Sequence, residues 1–453
     1  MDIYSHLLDD EAMLHFLTRG FCVVKTDVAP KVHSQILEDA QKAVAEGNPG
    51  NDILHKAPGL HEIYKDPAMV GALTSLLGDS YVMHCHRHCH LNPAGKEGKA
   101  FFHQDGSTRR FAGWSRPWRR HHRPRTIMAI SYPHKTTVDM GPTGVIPGTP
   151  YYNSRLENSF DYEFPFAVVD PGDVLLVQFD LWHRVSTNSS DRNRYMMKFL
   201  FKRTEEPVAP SWNAAADFDP GFDTLADRLD FGHPSDVLLK HPLVWEFMWR
   251  WSRGEALPEW GEDAPVSVDD MIGDLANADP GVVLDATYAL GRLGKRAVPA
   301  LMDMLLGEDE DQRELVLGAL SATGGHAVDP LVNALTHNDD WVRATAADTL
   351  GDIGLPAIGA LPAIRKALTD DYDWVRHNAT RALTIWSKAA DISADELLPV
   401  LEDEEPFVSF NVVTALEHMG RINDETLPSL KGLQDHDHGR LQYLVKEILQ
   451  RVA

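Results

Sequence analysis

Two kinds of hydrophobic spacing divide the chain. In its carboxy-terminal part apolar residues recur at every third or fourth position. Val298-Pro299-Ala300-Leu301-Met302-Asp303-Met304-Leu305 and then Glu314-Leu315-Val316-Leu317-Gly318-Ala319-Leu320 have the spacing of two short amphipathic helices. The pair repeats: Leu290, Leu320, Leu350, Leu383 and Leu416 follow one another at intervals of 30, 30, 33 and 33 residues, each after Ala or Thr. Asp340-Trp341-Val342-Arg343 returns 33 residues later as Asp373-Trp374-Val375-Arg376, and Pro406-Phe407-Val408 follows at the same interval. One such pair cannot bury its apolar face alone, so neighbouring pairs are expected to stack into an all-α solenoid over residues 266–453.

The amino-terminal part alternates instead. Residues 9–47 suggest a helix, a short strand at Gly20-Phe21-Cys22-Val23-Val24-Lys25 and a second helix through Gln35-Ile36-Leu37-Glu38-Asp39-Ala40. From about residue 80 to 203 the segments are strand-like, punctuated by Pro93-Ala94-Gly95, Pro147-Gly148-Thr149-Pro150 and Pro171-Gly172-Asp173. Many short strands between turn signals predict a β-sandwich or barrel. Trp-rich Pro242-Leu243-Val244-Trp245-Glu246-Phe247-Met248-Trp249-Arg250-Trp251 then reads as a docking helix, with Pro258 and Pro265 marking a linker behind it. The expected division is a domain at 1–212, a Trp-rich helical linker at 213–265 and the solenoid at 266–453.

Composition narrows the function classes. The 453 residues are 43% apolar and 24% charged, as in ordinary soluble globular proteins of two to three domains. Apolar runs such as Val174–Val177 are far too short to span a bilayer. The start Met-Asp-Ile-Tyr-Ser-His has no basic or apolar leader, so a cytoplasmic protein without membrane partners is expected. Cys22, Cys85 and Cys89 are too few for a disulfide framework. The net charge of -24 lies in residues 211–453, which hold 19 basic and 43 acidic residues; residues 1–210 hold 24 of each. Such an acidic half disfavours nucleic acid as a partner.

Within the neutral half, Arg109, Arg110, Arg116, Arg119, Arg120, Arg123 and Arg125 fall in 17 residues without an acid. They read either as a solvated basic loop or as a device, through Arg119 and Arg120, for recognising an anionic substrate group. The acidic runs Glu308-Asp309-Glu310-Asp311 and Glu402-Asp403-Glu404-Glu405 read as solvated loops, and Trp341 and Trp374 as packing between repeats.

The candidate chemistry lies in the strand-like region. In His103-Gln104-Asp105 the imidazole and the carboxylate stand on one face of a strand and can meet one metal. A third ligand is offered by His183, at the end of the strand that follows the Pro171-Gly172-Asp173 turn. Two histidines and one carboxylate leave coordination positions open, the arrangement of non-haem Fe(II) oxygenases. His84, His86, His88 and His90 alternate with Cys85, Arg87 and Cys89, which puts the four histidines on one strand face. Ligands strung along one strand lack the paired spacing of structural zinc sites, so that stretch reads as a polar strand or a pocket wall.

On these residues the chain resembles the phytanoyl-CoA dioxygenase family of Fe(II)/2-oxoglutarate-dependent oxygenases, over about residues 8–212. The resemblance rests on the Phe16–Val24 entry, His103-Gln104-Asp105, the turns Met140-Gly141-Pro142-Thr143 and Pro147-Gly148-Thr149, and the strand leading to His183, with Asn188 and Arg194 after it. The carboxy-terminal pattern resembles HEAT repeats.

The resemblance implies a double-stranded β-helix (jelly roll) with flanking helices, joined to a HEAT solenoid. It implies Fe(II) held by His103, Asp105 and His183, with 2-oxoglutarate gripped at its far carboxylate by Arg194, Arg192 being the competitor. His88 and His86 would line the cosubstrate and substrate pocket. O2 would be consumed and succinate and CO2 released, with ascorbate as a stimulant. The presence of Asp105 argues for hydroxylation over halogenation of a small, anionic or secondary-metabolite-like substrate. Two other readings stay open: a HEAT scaffold carrying a degenerate oxygenase domain, and an oxygenase whose protein or carrier-bound substrate is recruited by the solenoid.

Overall fold

The computed structural model describes residues 3–95, 102–105, 122–152, 170–231 and 239–452. Five strands form one antiparallel sheet in the order β1-β5-β3-β7-β2, where β1 is Phe21–Lys25, β2 Val82–Asn92, β3 Thr126–Ser131, β5 Asp173–Gln178 and β7 Arg194–Lys202. A small second sheet pairs β4, Thr143–Val145, with β6, His183–Val185. Together they are the two layers of the expected jelly roll.

Period-two alternation gives the large sheet two apolar faces. Met197, Phe199, Phe201, Ile127, Ala129, Val174 and Leu176 point to the flanking helices, among them Asp10–Arg19, Pro30–Ala45 and Pro67–Leu77. Met128, Ile130, Leu175, Val177, Met196 and Leu200 point into the barrel, where Tyr132, Val145 and Leu181 meet them. The first helix begins where the Asp9 carboxylate accepts the Ala12 N–H at 2.8 Å and ends at Gly20, whose φ of 84° only glycine takes readily.

The solenoid stacks as the repeats predict, and the Asp-Trp-Val-Arg motif shows its purpose. Arg343 grips Asp370 through Nε and Nη2, both at 2.8 Å, and Arg376 grips Asp403 at 2.7 and 3.0 Å. Arg313 reaches Asp339 at 2.7 Å one repeat earlier. Each arginine thus ties its own helix to the loop opening the next repeat, Arg343 and Arg376 by bidentate bonds that fix the stacking register. The second acidic run is therefore not merely solvated: Asp403 receives Arg376, and Glu405 accepts the Phe407 N–H at the helix start. Trp341 and Trp374 pack, half-buried, on the solenoid core, as their repeat position suggests.

The helix Pro242–Ser252 buries Val244, Trp245, Phe247, Met248 and Trp249 in the core that backs the sheet domain, and Leu284 and Tyr288 of the first solenoid helices join the same core. The helix row Asp340–Ile353, Asp373–Trp386, Pro406–His418 and Gly439–Val452 faces the sheet domain. Arg123 and Arg125 bond Asp352, Arg87 bonds Glu447 through both guanidinium nitrogens, and Lys388 bonds Glu205.

Candidate metal centre

His103 and His183 lie opposite one another in an antiparallel bridge, each N–H donating to the other's carbonyl, at 2.9 and 3.0 Å. That pairing brings the rings to 4.5 Å between centroids. Asp105, two residues along from His103, turns to the same side, with its carboxylate oxygens 3.9 Å from His103 Nε2 and 3.7 Å from His183 Nε2. One ligand atom from each of the three residues lies within 4.8 Å of the others, close enough to share one ion. Gln104, pointing the opposite way, is buried and donates through Nε2 to the carbonyls of Asp180, at 2.6 Å, and Tyr152, at 3.2 Å. It pins the tripeptide from behind.

His183 is prepared for ligation. Its Nδ1 meets the Leu181 carbonyl at 2.9 Å, an arrangement that places the proton there and the lone pair on Nε2, toward Asp105. Burial holds its pKa down to about 4 against the opposing pull of Asp105, so the imidazole is neutral near pH 7. Burial alone would raise Asp105, but His183 and Lys198 outweigh it and bring the carboxyl down to about 2. Lys198, which donates to Asp105 Oδ2 at 2.5 Å, has no counterpart in the sequence reading. Its only signal is its place in β7, four residues beyond Arg194 on the barrel-facing side.

Arg194 is 1% exposed on that same face, whereas Arg192 is exposed. Its Nη1 donates to the Gly141 carbonyl at 2.9 Å and the Tyr132 hydroxyl at 3.3 Å, while Nε is buried with no partner among the described residues. A buried guanidinium with an unanswered donor fits a carboxylate, as the cosubstrate would supply. Gly141 makes this possible: at φ 68° it passes so close to the Ser186 carbonyl that a Cβ would lie 2.3 Å from that oxygen. Asn188 binds the carbonyls of Asn92 and Arg192 at 2.9 and 2.8 Å and so shapes the loop that leads into β7.

The histidine strand keeps its predicted alternation, with Cys85, Arg87 and Cys89 buried and His84, His86 and His88 half-buried. His88 pairs across the sheet with Lys198, which brings it beside the metal centre; its ring is 4.6 Å from that of His86. A register shift between Met83 and Arg87 interrupts the ladder. Among the described residues, His103, Asp105 and His183 are the only group of three or more potential ligands gathered at one point, and the strand histidines are not part of it.

The arginine-rich stretch divides. Arg119 and Arg120 lie outside the described residues, so their expected role at the substrate rests on the sequence. Arg123 and Arg125 are not a solvated loop: buried and half-buried, they are bound to Asp352, Glu206 and Ser321. No sequence signal separates them from their neighbours, because their solenoid partners lie about two hundred residues away.

Residues 16–196 match the phytanoyl-CoA dioxygenase (PhyH) family, and residues 313–384 match HEAT repeats. Among solved structures, the chain is similar to the nickel complex of the non-haem monooxygenase ThoJ, with 17% identity and a TM-score of 0.33 over 48% of this chain and 94% of that one. It is also similar to EctD from S. alaskensis with 2-oxoglutarate and 5-hydroxyectoine, with 17% identity and a TM-score of 0.37 over 45% and 82%. HygX from Streptomyces hygroscopicus with nickel and 2-oxoglutarate shows 14% identity and a TM-score of 0.35 over 44% and 88%. No curated protein matches the chain. None of the helices in the described residues is long and apolar enough to cross a membrane.

Proposed function

We propose, from the premise that this chain joins a domain of the phytanoyl-CoA dioxygenase family to HEAT repeats, that it is an Fe(II)- and 2-oxoglutarate-dependent dioxygenase. Its reaction would be the hydroxylation of an unactivated C–H bond in a small, anionic organic substrate. The observation that carries the reading is the convergence of His103, Asp105 and His183 within 4.8 Å. A relic domain would be expected to lose at least one of three such ligands, and a scaffold needs none of them.

Iron held by His103, Asp105 and His183, with 2-oxoglutarate and O2, would supply the oxidation, with succinate and CO2 released. His183 offers Nε2 with its proton held away on Nδ1. Lys198 holds one oxygen of Asp105, leaving the other for the metal. Arg194, fixed by Gly141 and Tyr132, presents its remaining donors to the distal carboxylate of 2-oxoglutarate, and the apolar barrel wall keeps water from the site. His88 lies beside Lys198, where it would line the cosubstrate pocket.

Anaerobic titration of the metal-free protein with Fe(II) and 2-oxoglutarate tests the reading through its visible charge-transfer band. The wild type should develop the band, and Arg194→Ala should need roughly 10- to 100-fold more 2-oxoglutarate to reach it, the loss of charge-assisted hydrogen bonds. Arg192→Ala should titrate as the wild type does. A wild type that retains no iron and shows no band would overturn the proposal.

A further inference from the structure

Beyond the metal centre, the barrel ends against the solenoid in a cavity of about 160 Å³ built by both domains. The sheet domain contributes His86, Leu200 and Lys202; the solenoid contributes Phe407, Phe410 and Arg440. The cavity meets the barrel-facing apolar cluster at Phe179 and Leu200. Lys198, Leu200 and Lys202 alternate along one face of β7, so Lys202 stands about 13 Å along the strand from the lysine that holds Asp105. His86 lies at the boundary, near enough to feel the charge of both Asp105 and Arg440.

Most of the charged groups around this chamber have partners. Arg381 is answered by Asp348, Arg125 by Glu206 and Asp352, Arg123 by Asp352, and Glu205 by Lys388; Arg203 donates to the carbonyls of Leu76 and Glu205. Lys202 has no such answer: among the described residues no carboxylate pairs with its ammonium, and the guanidiniums that act on it, Arg381 and Arg440, share its sign. The neighbouring Cys85 thiol gives no anion, since burial pushes its pKa up to about 12. Burial, with the two guanidiniums, pulls Lys202 down to about 8, which still leaves it protonated near pH 7. A half-buried ammonium without a carboxylate has lost part of its hydration, which an anion would make good.

We propose that the solenoid is a wall of the active site. The chamber between the domains takes the anionic end of the substrate, a carboxylate or phosphate, on Lys202 under the positive field of Arg440. The substrate's apolar body lies along Leu200, Phe407 and Phe410 toward the metal centre. The inference rests on the oxygenase reading for the word substrate, but the anion site stands on the geometry of the chamber. It assigns the HEAT repeats a task within their own chain, selecting a small amphiphile, in place of the delivery of a macromolecule.

Calorimetric titration of the full-length protein, loaded anaerobically with Fe(II) and 2-oxoglutarate, tests it with octanoate, octyl phosphate and the neutral octanamide. The wild type should bind at least one of the anions tenfold or more tighter than octanamide. Lys202→Met should lose that difference, and Lys202→Arg should restore most of it. Phe410→Ala should weaken all three probes alike. Charge-blind binding, binding of neither anion, or an unchanged Lys202→Met overturns the proposal. The charge-transfer band, recorded on the same samples, keeps the two readings apart. Charge-selective binding without a band sinks the oxygenase and leaves the chamber, and a band with charge-blind binding does the reverse.

Discussion

His183→Ala is expected to abolish iron retention and, with it, every trace of 2-oxoglutarate turnover. Of the three proposed ligands, His183 is the buried one, with its ring held by a hydrogen bond through its second nitrogen. Loss of an outer partner of a metal-binding histidine commonly weakens metal binding 10- to 100-fold; loss of the ligand itself should exceed about 100-fold. The fold should survive, because the strand pairing at this point runs through backbone atoms: His103 and His183 exchange N–H and carbonyl bonds whatever their side chains. The check is thermal unfolding with and without metal. Fe(II), or Co(II) in its place, should raise the wild-type midpoint by binding only the folded form, while His183→Ala should melt near the wild-type apo value and ignore the metal. A variant that still gains stability from metal would show that the three residues are not the site.

That this triad could be read from the sequence follows from how local its signals are. His103 and Asp105 are two apart in an extended segment, so their shared face needs only strand geometry. His183 follows a Pro-Gly-Asp turn and a run of apolar strand residues, and the antiparallel return that sets it against His103 is what such a turn produces. The helix repeats were legible for the same reason, since a period of 30 to 33 residues is a property of neighbours in the chain. Arg194 was named from its motif, with Arg192 as its competitor; the structure buries Arg194 and exposes Arg192.

The rest depended on contacts that no local pattern encodes. Lys198 and Lys202 stand four residues apart on one face of a mostly apolar strand, and nothing in Arg194-Tyr195-Met196-Met197-Lys198-Phe199-Leu200-Phe201-Lys202 says that one will meet Asp105 and the other an interdomain chamber. The arginine-rich stretch shows the reverse error. A run of like charges reads as solvent-facing, yet Arg123 and Arg125 are held inside by carboxylates from distant parts of the chain. Side-chain chemistry is visible in a sequence; which surface will cover it is decided by how whole domains dock.

The residue on which that docking turns is Asp352, and Asp352→Asn should be the most damaging substitution outside the metal centre. Its buried carboxylate accepts from Arg123 Nη1 at 2.8 Å, Arg125 Nη1 at 2.7 Å and Ser321 Oγ at 2.6 Å, and its own carbonyl takes Arg125 Nη2 at 2.9 Å. With Glu206 it balances two guanidiniums; without it, two enclosed cations share one carboxylate. Breaking a buried pair by removing one partner typically costs about 3–5 kcal/mol, because the remaining charge is left without compensation. Asparagine keeps the shape but turns an N–H₂ toward donors. Arg123→Met together with Asp352→Asn should therefore cost less than the sum of the two single changes, since the double variant removes one of the stranded cations. Urea unfolding followed by tryptophan fluorescence reads both effects. The wild type should unfold with its domains coupled, whereas Asp352→Asn should shift the transition to lower urea or split it in two as the clasp between sheet domain and solenoid opens. Where the clasp opens, the chamber built by both domains should come apart, and the same variant should then lose its preference for octanoate over octanamide while keeping metal binding. An unchanged transition would mean that the domains are held by their apolar contacts and by the Arg87–Glu447 and Lys388–Glu205 pairs, and that the charges at Asp352 balance without contributing to the clasp.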